Sequence, residues 1–159
     1  MTKDEVVEET KKHIERVGQF LFVLGFHLEN RIKTHDASKL SDEELPFFVE
    51  YTPKLKNCTY GSDEYKDFLN ALEPALKHHY AANRHHPEHF LDEADERGGS
   101  AVGCMDLIDI AEMICDWRAA TERHADGDIF KSIEINQKRF GFGDELKQIL
   151  INTVKLFPV

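Results

Sequence analysis

The chain has 159 residues, 41% apolar and 31% charged, an ordinary globular composition long enough for one domain with a buried core. Thirty acidic residues against twenty basic ones leave a net charge of −10, which excludes a nucleic-acid duplex as the main partner, because a phosphate backbone needs a basic surface. No apolar run approaches the roughly 18 residues of a membrane span, so no membrane partner is expected.

The charged opening MTKDEVVEETKK has no signal-peptide core. Cys58, Cys104 and Cys115 show no CxxC spacing. Both features predict reduced thiols and a cytoplasmic protein.

Residues 3–33 read as one long helix. Val6, Thr10, His13, Val17, Phe20, Leu24, His27 and Arg31 recur at alternating steps of four and three, with Ile14, Leu21 and Leu28 widening the stripe. The stripe is expected to face the core. His13 and His27 would lie about 21 Å apart along it, so only one could reach a given site. The helix should stop near residues 34–36.

A second helix is expected from about Ser41, with Asp42, Glu43 and Glu44 in its first turn and Pro46 early enough to be tolerated. Residues 52–62 read as a loop. Ser62 can cap a helix in which Phe68, Leu72, Ala75, Leu76 and His79 share a face, and which Pro74 should kink or divide before it ends ahead of Pro87.

Residues 92–103, DEADERGGSAVG, read as an exposed, mobile connection. A helix over 104–124 should present Leu107, Ile108, Ala111, Ile114, Cys115 and Arg118 on its apolar side. The Asp126-Gly127-Asp128 break can cap a short helix to about Lys138, and Asp144 opens a last one striped by Leu146, Ile149, Leu150, Thr153, Val154 and Phe157. No segment alternates with period two, so the fold class is all-α, one compact helical bundle over 1–159.

Three stretches carry chemistry. Residues 78–90, HHYAANRHHPEHF, hold five of the nine histidines. Histidine is the commonest metal ligand, and packing does not ask for so many in one place. His78 and His79 address adjacent sides of a helix, about 100° apart, while His79 and Asn83 share a face that His86 continues if the helix persists. Upstream stands His35-Asp36-Ala37-Ser38-Lys39; Lys39 is a cation suited to an anionic substrate. Downstream, Asp109, Glu112 and Asp116 repeat at helical spacing on an otherwise apolar segment, where buried carboxylates need partners. Taken as one site, the three stretches point to metal-dependent hydrolysis. No phosphate loop, nucleophile elbow or HExxH helix is present.

The combination His-Asp-x-x-Lys, His-His-x-x-x-Asn and a later helical Asp resembles the HD-domain superfamily of metal-dependent phosphohydrolases. The chain departs from that superfamily's HD-GYP branch at Tyr80 and lacks the Gly-x-Gly-Tyr-Pro ending. Over nearly its whole length it is similar to a family of small bacterial and phage proteins. The pattern of that family is an early His13, Arg31 before residues 35–39, the 78–87 segment, and Asp109 to Trp117.

The resemblance implies an HD-like helical domain with His13, His35, Asp36, His79 and Asp109 as metal ligands. It makes His27 the alternative early ligand and His78, His85, His86 and Asp116 possible further ligands. It also implies that Lys39 contacts a phosphate, that Asn83 orients substrate, and that Glu112 orients a ligand or serves as base. Mixed histidine and carboxylate ligation suits manganese, iron, nickel, cobalt or zinc. The implied reaction is hydrolysis of a nucleotide or related small phosphate ester. Two alternatives share the motifs: an HD-type di-iron oxygenase, and a non-catalytic binding protein stabilised by its metal.

Overall fold

A computed structural model describes residues 1–57, 63–123 and 127–158. The expectations for Cys58, the Ser62 cap and Asp126 lie outside these residues. The described residues are all-α, with seven α-helices, three short 3-10 turns and no strand. None of the helices is long and apolar enough to cross a membrane, among the described residues. The chain parts into two units, 1–35 and 36–159.

The first unit is α1, Lys3–Thr34. Thr2 caps it through a capping box with Glu5, and basic Arg31 and Lys33 fall in the last turn, where the helix dipole favours them. Taken by itself, α1 is a single helix with no buried residue. Periodicity established that a helix forms and which residues share a face. It could not establish what covers that face.

The second unit begins at Asp36, which heads a 3-10 turn, Ala37–Leu40. Helix α2 spans Leu45–Asn57, not a helix from Ser41, and it continues through Pro53 where residues 52–57 were expected to be loop. A Lys54–Glu50 ion pair at i, i+4 braces that turn. Helix α3, Asp63–Ala82, packs on α2 and runs unbroken past Pro74.

Helix α3 ends ahead of Pro87, as expected, at Ala82. Asn83 turns its side-chain Nδ2–H back onto the His79 carbonyl (2.8 Å), and His86 is held extended ahead of the proline. Pro87–Phe90 is a 3-10 turn.

The expected mobile connection over 92–103 is instead structured. Helix α4, Leu91–Arg97, ends on a left-handed Gly98, and Ala101–Cys104 forms another 3-10 turn. Ala94, Ala101 and Val102 are buried core residues. Polar composition and three glycines masked these few apolar anchors.

Helix α5 spans Leu107–Thr121, with Asp106 and Asp109 closing a capping box. Its inward face differs from the expected one. Asp109, Glu112, Met113 and Ile114 are buried, while Leu107 and Cys115 are exposed. Helices α6, Ile129–Phe140, and α7, Asp144–Val154, pack against each other and against α5. Asp128 caps α6 and a left-handed Gly141 ends it. The core joins Phe90, Val102, Met113, Ile114, Ile133, Phe142, Leu150 and Val154, and Trp117 stacks beside Phe140 and Phe142.

Candidate metal centre

Asp36 is the one non-glycine residue with positive φ among the described residues (φ 55°, ψ 14°). Aspartate tolerates this left-handed conformation better than most residues, and such strain concentrates at functional positions. It allows the carboxylate and the following turn to meet the end of α3. There Asp36 Oδ1 lies 3.2 Å from His79 Nε2 and 3.5 Å from His85 Nε2. His79 Nε2 is in turn 2.9 Å from His86 Nε2. Asp36, His79, His85 and His86 thus offer one carboxylate oxygen and three imidazole nitrogens, all within 4.8 Å of one another.

These separations suit one ion. Ligands about 2.1 Å from a metal stand about 3.4 Å apart at tetrahedral angles and about 3.0 Å apart at right angles. His85 and His86 are adjacent yet converge, because they follow the end of α3 in a turn instead of continuing the helix.

Behind the ligand atoms stand two buried carboxylates. Glu44 is fully buried in the turn before α2 and accepts from His79 Nδ1 at 2.9 Å and from His78 Nδ1 at 2.7 Å. Glu112 Oε1 lies 3.1 Å from His85 Nδ1. A proton held at Nδ1 by a carboxylate leaves the Nε2 lone pair for a metal, the usual arrangement behind ligating histidines. Ser38 Oγ accepts from Asn83 Nδ2 (2.7 Å) and lies 3.1 Å from His79 Nδ1, tying the 3-10 turn to α3.

The electrostatics follow from this crowding. Burial would raise the Asp36 carboxyl, but hydrogen bonds from His79, His85 and Lys39 outweigh it and hold Asp36 far below the usual carboxylate range. Burial would lower His85, but hydrogen bonds to Asp36 and Glu112 raise it to about 9. Burial, then the neighbouring His85 and His79, push His86 down to about 3, so its imidazole is neutral. Burial would also raise Glu44, but hydrogen bonds from His78 and Ser38 and the charge of His79 lower it overall. Lys39 Nζ lies 2.5 Å from Asp36 Oδ2, the oxygen turned away from the histidines.

Asp109 has a different setting. It takes both prongs of Arg84, Nε to Oδ1 at 3.2 Å and Nη2 to Oδ2 at 2.8 Å, and its Oδ2 also accepts the Asp106 backbone N–H. It therefore fastens the residue just before His85 to the start of α5. Asp116 lies half-buried on α5, one turn beyond Glu112. His13, His27 and His35 belong to the first unit, with exposed side chains.

Glu44 escaped sequence reasoning. It read as one of three first-turn acids, and only the inward turn before α2 separates it from Asp42 and Glu43. A signal was present in the run of acids 34 residues before paired histidines, but nothing in the spacing marks which acid turns in.

No curated protein and no solved structure matches the chain. A family described as "Family of unknown function (DUF5662)" matches residues 2–156. Since the match spans almost the entire chain, the protein belongs to this family of unknown function.

Proposed function

We propose that the protein is a metal-dependent phosphohydrolase acting on a nucleotide or related small phosphate ester, of the HD type its motifs resemble. The observation that carries the metal reading is the convergence of His79, His85 and His86 Nε2 with Asp36 Oδ1, with Glu44 and Glu112 at the far nitrogens of two of the three histidines. In this reading Asp36, His79, His85 and His86 hold a divalent transition metal. Arg84 and Asp109 position the histidine pair. His13, His27, His35, His78 and Asp116 stay as additional ligand candidates from the sequence pattern.

A bound divalent ion would supply Lewis-acid activation of water and of a phosphoryl oxygen. The chain's own residues supply the remainder. Glu44 and Glu112 retain the Nδ1 protons. Lys39, half-exposed beside Asp36, offers a cation to the substrate phosphate, and Asn83 stiffens the turn that carries Asp36. Phosphate esters are the substrate class because the motif combination resembles that of the phosphohydrolases and because Lys39 stands next to Asp36 of the ligand cluster.

The test begins with purified protein reconstituted in turn with manganese, iron, nickel, cobalt and zinc, its metal content read by mass spectrometry. Wild type is expected to hold metal, and Asp36→Asn and His85→Gln to lose it while keeping their helix content. Phosphate release is then screened over nucleotides. Lys39→Met is expected to keep the metal and lose roughly 10²-fold in turnover, the scale of one preorganised electrostatic contact. A wild type that binds none of the five metals ends the metal reading. Dioxygen-dependent turnover with two bound irons would replace hydrolysis with oxygenation, and unchanged turnover in Lys39→Met would remove that lysine from the chemistry.

A further inference from the structure

Four protein donors fill a tetrahedral shell, the arrangement of a structural metal site, whereas a catalytic ion keeps one position for water or substrate. If Asp36, His79, His85 and His86 all stayed on a tetrahedral ion, no phosphate oxygen could join them. The surroundings of the three histidines show which of them can give way.

His79 is held on several sides. Its Nδ1 lies 2.9 Å from Glu44 Oε2 and 3.1 Å from Ser38 Oγ, and it sits in the last turn of α3 with 1% of its surface exposed. His85 is as deeply buried, and its Nδ1 lies 3.1 Å from Glu112 Oε1. The Arg84–Asp109 pair fastens the residue beside it. A carboxylate behind each ring fixes its orientation and raises the basicity of the Nε2 turned to Asp36.

His86 has a different setting. It is half-buried, and among the described residues its side chain makes one polar contact, the 2.9 Å approach of Nε2 to His79 Nε2. Its other neighbours are rings, His85 at 4.1 Å and Tyr80 at 5.0 Å between centroids. Among the described residues no carboxylate stands at its Nδ1 to orient the imidazole or strengthen it as a donor. It also lies beyond the end of α3, on an extended residue ahead of Pro87.

We propose that His86 is the exchangeable ligand of this centre: Asp36, His79 and His85 hold the ion permanently, and the His86 imidazole yields its position to a phosphate oxygen. The proposal rests on the metal reading and names where the anionic substrate enters. One neutral nitrogen donor leaves the ion, one anionic oxygen donor replaces it, and no bond within the protein changes.

The experiment uses the full chain loaded with cobalt, whose visible absorption reports the coordination shell. Competition with a chelator of known affinity measures binding. His79→Ala and His85→Ala are each expected to lose at least about ten times more cobalt affinity than His86→Ala, the lower end of what the groups behind a ligating histidine contribute. Inorganic phosphate is then titrated into cobalt-loaded wild type and His86→Ala. It should shift the cobalt bands of both at unchanged metal content, and bind His86→Ala more tightly, because no protein donor has to leave first. Circular dichroism checks the fold, and His86→Gln, which keeps more of the side-chain volume, replaces His86→Ala if the alanine variant loses helix content.

Equal losses in the three alanine variants overturn the inference and leave the metal reading standing. Phosphate that binds wild type and His86→Ala equally also overturns it, since the ion would then add a fifth ligand and keep His86. So does phosphate that leaves both spectra unchanged. Wild type that takes up no cobalt overturns it as well, and the metal reading falls with it only if the other four metals are refused too.

Discussion

Helices α1 and α5 invert the usual rule of burial. The first carries a long amphipathic stripe and, taken by itself, buries none of its residues, whereas α5 buries Asp109 and Glu112 and leaves Leu107 exposed. The difference lies in partners. A carboxylate can be taken from water when cations and N–H groups surround it, as Arg84 and the Asp106 N–H surround Asp109 and His85 faces Glu112. An apolar side chain is buried only if another surface arrives. Burial in this protein follows the supply of partners, and hydrophobicity alone does not predict it.

The largest effect should come from the packed half of α5. Met113 is fully buried in the core, and Met113→Ala is expected to cost about 2–5 kcal/mol of unfolding free energy, read by chemical denaturation. A loss below about 1 kcal/mol would mean that the α5 core is far looser than its burial indicates.

Next come the carboxylates behind the histidines. Glu44→Gln and Glu112→Gln should each weaken metal affinity about 10- to 100-fold, about 1.4–2.7 kcal/mol, while the ligand set stays complete. Competition with a chelator of known affinity measures this. Unchanged affinity in both variants would make these carboxylates packing partners only.

Proton competition should follow. Without metal, His85 is raised to about 9, so its imidazole carries a proton at neutral pH, and a metal must displace it. Affinity should therefore rise with pH, by up to about tenfold per pH unit for one proton, and level off above about 9. The sign for the metal-free fold is opposite. Because the folded-state pKa is raised, stability from protonated His85 is fully present below its ordinary value and is lost as pH rises through about 9. Titration calorimetry across this range reads the first effect and thermal melts read the second. A metal affinity flat in pH would remove His85 from the ligands.

The smallest effect belongs to α1. Phe22 is 75% exposed and lies off the stripe that runs from Val6 to Arg31, so Phe22→Gln should change stability by no more than about 0.5 kcal/mol despite the loss of a phenyl ring. A loss comparable with Met113→Ala would show that α1 is covered on that side, and the contrast between the two helices would fall.

Much was legible in the residues because it is local. The all-α class, the extent of α1, the capping by Asp128 and the stop at Gly141 follow from periodicity and backbone preference, which act within a few residues. The candidate site's membership was partly legible, since packing does not ask for five histidines in thirteen residues.

What only the tertiary structure decided depends on contacts distant in sequence. Asp36 meets His79 and His85 across more than forty residues because α3 ends at Ala82 and Asp36 adopts a left-handed turn. Glu44, and not Asp42 or Glu43, turns inward because the chain rotates once before α2. Asp109 answers to Arg84 because α5 starts beside the histidine turn. Side-chain type states which partners are chemically acceptable, and the fold chooses among them by bringing one within hydrogen-bonding distance and leaving the others in water.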